Sequence, residues 1–263
     1  MNAASNESFP AYLLLNLKCD VVPAARAATF GVAMRSPYIG KAFAVIVIVL
    51  FLGWSAVRSI GAKPAEPKFP FPKPATDEPL ASAKGQEKVV LAGGCFWGVE
   101  AVYDHTKGVI SAVSGYSGGH VEKPGYEMVS TGLTGHAESV EVTFDPSQIS
   151  FGQILMIYFS VAHDPTQLNR QGPDVGSQYR SAIFYTTEDQ KRIATAYVEQ
   201  INAAKTYPSK IVTQIAPFQA FYRAEEYHQH YLESHMSQPY IVYNDLPKLS
   251  NLKKDYPDLY VKN

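Results

Sequence analysis

Cys95 is the residue of this chain best placed to do chemistry. It stands in Gly93-Gly94-Cys95-Phe96-Trp97-Gly98, between glycines and two aromatics. The apolar run Val89-Val90-Leu91-Ala92 before it reads as a strand, and Val99-Glu100-Ala101-Val102-Tyr103 after it reads as a helix. The thiol therefore belongs at a strand-to-helix turn. Glycine lets the backbone turn sharply there and leaves room for something to approach the sulfur. First-turn amides of a helix favour nearby negative charge, which predicts a thiol pKa lowered toward the thiolate. A lone cysteine usually just fills core space. The glycines, the turn and the aromatic wall point instead to a catalytic thiol acting on a substrate with a greasy end and a reactive atom.

Groups able to work with that thiol lie on loops at strand ends. Glu138, in Gly135-His136-Ala137-Glu138-Ser139-Val140, enters a strand straight after a glycine-rich loop. Tyr126 lies in the loop before it, and Tyr179 opens a later strand, preceded by Asp174 in GPDVGSQYR. Each alone is weak, since a single Glu is usually solvated and a Tyr usually half-buried packing. Histidines offer a rival. His136 or His163 paired with Cys95 would make a thiol hydrolase or acyltransferase of the papain type. His228, His230 and His235 could be read as a metal cluster, but residues at i and i+2 of a helix point to different faces. No metal and no cofactor is expected.

The elements that must position these groups are set by periodicity and punctuation. After the Cys95 helix come an apolar stretch, Gly108 to Val113, and an irregular loop with four glycines between Gly115 and Gly125. Ser139 to Phe144 alternates like a strand, and Ser150 to Val161 reads as a helix capped by Ser150. A second irregular loop, His163 to Gln178, leads to a strand from Tyr179 to Tyr185. Thr187 to Lys205 is an amphipathic helix, with Thr187 and Gln190 forming a capping box. A strand over Ile211 to Ala216 and a helix over Ala224 to Ser234 come next. From Gln238 onward the prolines predict a long coil-like tail. Helices alternating with strands make this an α+β layer domain.

The first third of the 263 residues is of another kind. Residues 42–57, AFAVIVIVLFLGWSAV, form an uncharged apolar run behind Arg26, Arg35 and Lys41, the pattern of a signal peptide core or signal anchor. The basic residues predict that residues 1–41 stay in the cytoplasm and that the chain beyond the run is exported, either periplasmic or anchored to the inner membrane. Met34 begins a shorter signal-like segment, so translation starting there is an expectation, and Cys19 would then be absent. Residues 58–79 include a proline-rich stretch expected to be an extended spacer outside the core. The catalytic domain is expected over 80–263. A net charge of −1 gives no reason to expect nucleic acid as a partner. Two cysteines, Cys19 and Cys95, make neither a disulfide framework nor a thiolate metal site.

GCFWG, GYSGG, TGHAE, HDPTQLNRQGPDVGSQYRS and AEEYHQHYL together resemble the peptide methionine sulfoxide reductase A family, in order, over essentially all of residues 88–260. The resemblance implies a ferredoxin-like core and a monomer that reduces the S epimer of methionine sulfoxide, free or in proteins. It implies that Cys95 attacks the sulfoxide sulfur, that Phe96 and Trp97 hold the S-methyl group, and that Asp174 lines the site. A protonated Glu138, helped by Tyr126 and Tyr179, would donate to the sulfoxide oxygen as charge grows there. Burial against the aromatic wall would keep that carboxyl neutral. Many members carry resolving cysteines near the C-terminus, and this tail has none. The resemblance then implies a one-cysteine form, in which a thioredoxin-like protein or a small thiol reduces the Cys95 sulfenic acid. Export would make the donor periplasmic and the substrates oxidised exported proteins.

Overall fold

A computed structural model describes residues 65–262. In chain order the elements begin with strand β1 (Glu87–Gly93), helix α1 (Phe96–Asp104), β2 (Val109–Ser117), the short α2 (Tyr126–Ser130) and β3 (Ala137–Phe144). Helix α3 (Phe151–Ile157) continues into a wide π turn over Tyr158–Ala162. The small strands β4 (Arg170–Gln171) and β5 (Asp174–Val175) pair with each other and precede a 3-10 turn at Ser177–Tyr179. Next come β6 (Ser181–Tyr185), α4 (Glu188–Ala203), β7 (Gln214–Pro217) and β8 (Phe221–Arg223). The chain ends with α5 (Tyr231–Ser234), a π turn at Ile241–Asp245 and α6 (Leu246–Asp255).

The sheet order is β7-β6-β1-β3-β2-β8. Its inner four strands, β6-β1-β3-β2, are mutually antiparallel. With α1 and α3 they make the β-α-β-β-α-β succession of the ferredoxin-like class. Antiparallel pairing in this order brings four strand ends to one edge. The C-terminal end of β1 lies by the N-terminal end of β6, with Gly93 opposite Ser181. The N-terminal end of β3 lies by the C-terminal end of β2, with Glu138 opposite Tyr116. Cys95, Glu138, Tyr179 and the loop bearing Tyr126 all leave the sheet at that edge.

The sheet is rolled. Five gaps of about 4.8 Å would put the outer strands roughly 24 Å apart if it were flat. Yet β7 on one edge reaches β8 on the other through Phe218, Gln219 and Ala220 alone, a span of at most about 15 Å. Both faces are consequently covered. Val89 and Leu91 enter the main core under the helices, while Val90 and Ala92 join Ala182 and Phe184 in a second cluster with Phe218 and Phe221. This two-sided burial is why β1 reads as unbroken VVLA rather than as alternating residues.

Local signals hold where capping decides. Ser150 accepts from the Gln153 N–H and closes a complete capping box on α3. Thr187 accepts from Gln190 as expected, but the Gln190 side chain reaches back to the Thr186 N–H, one residue beyond the box position.

Three expectations fail. Residues 65–79 are extended but not a free spacer. Phe71 is buried against Tyr197 and Tyr207, the Tyr197 hydroxyl donates to the Pro72 carbonyl, and Asp77 accepts from Ser150 Oγ and the Gly152 N–H. A proline-rich stretch keeps its carbonyls and aromatics available, and those are what dock here.

The tail is not coil-like. Pro247 sits in the first turn of α6, where a missing N–H costs nothing, and Lys253 and Lys254 occupy the last turn, where cations are favoured. Ala224 to Ser234 is not one helix. His230 takes a left-handed conformation (φ 49°) and splits it into a 3-10 turn and α5. Residues 42–57 and Met34 lie outside the described residues, among which no helix is long and apolar enough to cross a membrane.

Candidate active site

Cys95 is the N-cap residue of α1, directly after the Gly94 turn. Gly94 has φ of +89°, and a Cβ there would meet the Gln171 side chain at 2.5 Å, so glycine is needed for both conformation and space. Gly98 needs its bareness for a different reason. A Cβ on it would stand 2.0 Å from Asp245 Oδ1 and 2.6 Å from Lys248 Nζ. The room beside Gly98 is thus filled by the protein's own ion pair from the C-terminal segment, 3.0 Å long, and not by an incoming molecule.

All seven residues singled out in the sequence meet in one pocket of about 280 Å³, lined by Cys95, Phe96, Trp97, Tyr126, Glu138, Asp174 and Tyr179, together with Gln238 and Tyr240. Glu138 is buried, and its Oε2 accepts the Phe96 N–H at 3.1 Å. Burial pushes its pKa up to about 8, with Asp174 and Asp245 adding to the rise and the Phe96 bond opposing it. The carboxyl is therefore largely neutral at neutral pH and able to donate. Burial first, then Glu138, raises the phenols of Tyr126 and Tyr179, which stay O–H donors.

The thiol itself corrects an expectation. Burial, Glu138 and Asp245 push the Cys95 pKa well up, outweighing the Trp97 N–H and Lys248, which pull it down. The helix N-terminus is present, but Cys95 is a buried residue, 8 % exposed, and its thiol beside two carboxyl groups loses more solvation than the first-turn amides return. Resting Cys95 is a thiol.

The aromatic wall is locked in place. The Trp97 indole stacks on Tyr231 at 3.8 Å, meets Tyr240 edge-on, and donates to His228 Nδ1 at 3.1 Å. Phe96 is buried against Tyr116 and His228. Tyr126 is held by its N–H, which Glu225 accepts at 2.9 Å, and Glu225 also accepts from the Tyr116 hydroxyl. Asp174 accepts from the Tyr240 hydroxyl.

The Cys/His pairing fails on geometry. His136 accepts from the Gly119 N–H at Nδ1 and bonds the Val121 carbonyl at Nε2. His163 is committed to the Tyr158 carbonyl and Ser181 Oγ, and burial lowers its pKa to about 4. Neither has a ring nitrogen left for the thiol. The histidines of the supposed metal cluster disperse as well, His228 to Trp97, His230 to Asp104 and His235 to the Tyr231 carbonyl.

Sequence reasoning missed Tyr240, Gln238, Asp245 and Lys248, all placed in the supposed coil. The spacing of Leu246, Leu249 and Leu252, with Pro247 near its start, was the available helix signal. It also missed His228 as the indole's partner, for which no local signal exists.

The family model described as peptide methionine sulfoxide reductase matches residues 87–259. The chain is 58 % identical over 179 residues to peptide methionine sulfoxide reductase MsrA 2 of Mesorhizobium japonicum, covering 68 % of this chain and 92 % of that one. It is 46 % identical over 203 residues to the MsrA 2 of Synechocystis, covering 77 % and 95 %. Among solved structures, reduced Mxr1 from Saccharomyces cerevisiae superposes with a TM-score of 0.52 at 35 % identity, over 62 % of this chain and 92 % of that one. Methionine sulfoxide reductase A of Corynebacterium diphtheriae gives 0.51 at 34 % identity, over 65 % and 88 %. The matched span runs from the first residue of β1 to beyond the end of α6, and the chain belongs to the peptide methionine sulfoxide reductase family, an oxidoreductase that reduces methionine sulfoxide.

Proposed function

We propose that Cys95 takes the oxygen of methionine-S-sulfoxide directly and is left as a sulfenic acid. The observation that carries this reading is the single pocket in which a thiol, an aromatic wall and three O–H groups converge. Phe96 and Trp97 receive the S-methyl group, which turns the S–O bond toward Glu138, Tyr126 and Tyr179. The Cys95 sulfur, as thiolate, bonds to the sulfoxide sulfur while negative charge gathers on oxygen. Glu138 gives that oxygen a proton, and the two phenols stabilise it by hydrogen bonding. Oxygen then passes to Cys95 as both the methionine S–O bond and the bond between the two sulfurs break, and methionine leaves. Asp174, through Tyr240, fixes the wall beside the methyl group.

Because Glu138 and Cys95 both hold their protons at neutral pH, the productive state carries one proton on the pair. Its population grows as pH rises through Glu138's value of about 8 and shrinks once Cys95 titrates at still higher pH. A bell-shaped kcat/KM with its ascending limb near pH 8 is the expected profile.

Regeneration falls to an external thiol, either small or carried by a thioredoxin-like protein, since Cys95 is the free cysteine of the described residues. The apolar run at 42–57 supports export and hence the repair of exported proteins by a periplasmic or membrane-anchored enzyme. Recovery of one methionine per reduced enzyme, with a trappable sulfenic acid on Cys95, tests the reading. Recovery of methionine without that adduct contradicts it.

A further inference from the structure

A second cavity, of about 340 Å³, also borders Cys95. It lies away from the oxygen-binding groups, since Glu138, Tyr126 and Tyr179 line the first pocket only. Cys95 and Tyr240 are the residues common to both linings. The wall of the second cavity includes Ala65 to Pro67 from the proline-rich stretch, and Asn244, Lys248 and Asn251 from the C-terminal segment. We propose that this cavity is where the reducing thiol docks, and that it takes a small zwitterionic thiol of the amino-acid or short-peptide class.

Three observations lead there. Displacement at a two-coordinate sulfur is in line, so the incoming sulfur must approach Cys95 from the side opposite the departing oxygen. That oxygen sits among Glu138, Tyr126 and Tyr179, because the preceding step (the proposed transfer to Cys95, on which this inference rests) leaves it there. The second cavity reaches Cys95 without passing those groups.

Its charges suit a zwitterion. Lys248 Nζ gives one N–H to Asp245 at 3.0 Å, and an ammonium has three to give. Glu66 belongs to the same lining, as does Asp164, whose oxygens already accept from the Ala65 and Thr166 N–H groups, the Thr166 hydroxyl and the Gln167 amide. Its size suits a molecule of tripeptide scale, whereas a protein cysteine would have to be threaded past residues 65–67 and α6.

The balance is complete with two such thiols. The first thiol gives its proton to Glu138, which the oxygen transfer left ionised. Its thiolate then forms an S–S bond to Cys95 as the S–O bond breaks, and the departing hydroxide takes that proton and leaves as water. A second thiolate attacks the outer sulfur of the mixed disulfide, releasing the small disulfide and the Cys95 thiolate. The second thiol's proton goes to the ionised Glu138, which returns the Glu138–Cys95 pair to its one-proton productive state. The sulfenic acid has gained two electrons and each small thiol has lost one.

The test separates the half-reactions in the full chain. Reduced enzyme first turns over once with methionine-S-sulfoxide, and glutathione is then added while the sulfenic acid is followed by trapping and mass measurement. Asn251→Trp, on the exposed face of α6, plugs the cavity mouth. It is expected to slow the glutathione step at least about tenfold with little change in first-turnover methionine. Lys248→Met is expected to raise the glutathione concentration needed by about tenfold more than it raises that of uncharged 2-mercaptoethanol, as loss of a charge-assisted contact does; equal shifts for the two thiols would leave Lys248 out of thiol recognition. An unchanged glutathione rate in Asn251→Trp would place the thiol in the first pocket and overturn the proposal. So would a wild-type sulfenic acid that glutathione leaves intact and a thioredoxin-like protein reduces. Failure to form methionine in the first stage would instead contradict the oxygen transfer itself.

Discussion

The two spaces that meet at Cys95 are walled by different parts of the chain. The pocket that holds Glu138, Tyr126 and Tyr179 is cut into the edge of the sheet, and each donor hangs from a strand end or a short turn fixed by backbone pairing. The cavity behind it is closed by segments outside the β-α-β-β-α-β core, residues 65–67 before it and α6 after it. These are held by individual contacts, such as Ala65 N–H on Asp164, Lys68 N–H on the Thr206 carbonyl, and Asp245 with Lys248 against Gly98. Chemistry at the oxygen is thus fixed by the sheet itself, while access to the sulfur depends on segments that flank the core. Changes in the first region should hit the rate of oxygen transfer, and changes in the second should hit stability and reductant use.

The largest effect belongs to the sulfur. Cys95→Ser is expected to reduce methionine formation by more than about a thousandfold with unchanged circular dichroism; residual turnover near wild type would remove the thiol from the mechanism. Glu138→Gln comes second, slowing single turnover by about a hundredfold and removing the ascending limb near pH 8 from the kcat/KM profile. If that limb persists in the amide variant, Glu138 is not the group that titrates.

On the other side of the comparison, Phe71→Ala is expected to cost about 3 kcal/mol in denaturant unfolding while leaving the single-turnover rate of the folded enzyme within a factor of about two. An unchanged midpoint would make residues 65–79 a spacer after all. Gly98→Ala should be the smallest of the four, about 1–3 kcal/mol from forcing Asp245 and Lys248 aside. A drop in oxygen transfer without loss of stability would show that the ion pair serves the front pocket instead.

The legibility of the two regions divides in the same way. Cys95 could be read from its glycines, its turn and its aromatics, while Glu138, Tyr126 and Tyr179 gave only weak signals as polar residues at strand ends, and their roles, like that of Asp174, came from the family resemblance. The inner strands and the caps at Ser150 and Thr187 were legible from period and local hydrogen bonding. The rolled sheet was not, because nothing local in β7 or β8 states that opposite edges must be joined by three residues. The tail was misread because proline counts against a helix everywhere except its first turn, where Pro247 sits. The thiol's ionisation was misread because its burial, the largest cause, is not written in the local sequence, and the opposing carboxyls, Glu138 and then Asp245, come from residues far along the chain.

Transfer of oxygen from methionine sulfoxide to Cys95 can be followed in a single turnover. The reduced full chain is mixed with the S epimer of methionine sulfoxide without any reductant, then treated with a sulfenic-acid probe and digested. One methionine per enzyme is expected, with the probe on the peptide carrying Cys95. Methionine without a Cys95 adduct, or an adduct without methionine, would contradict it.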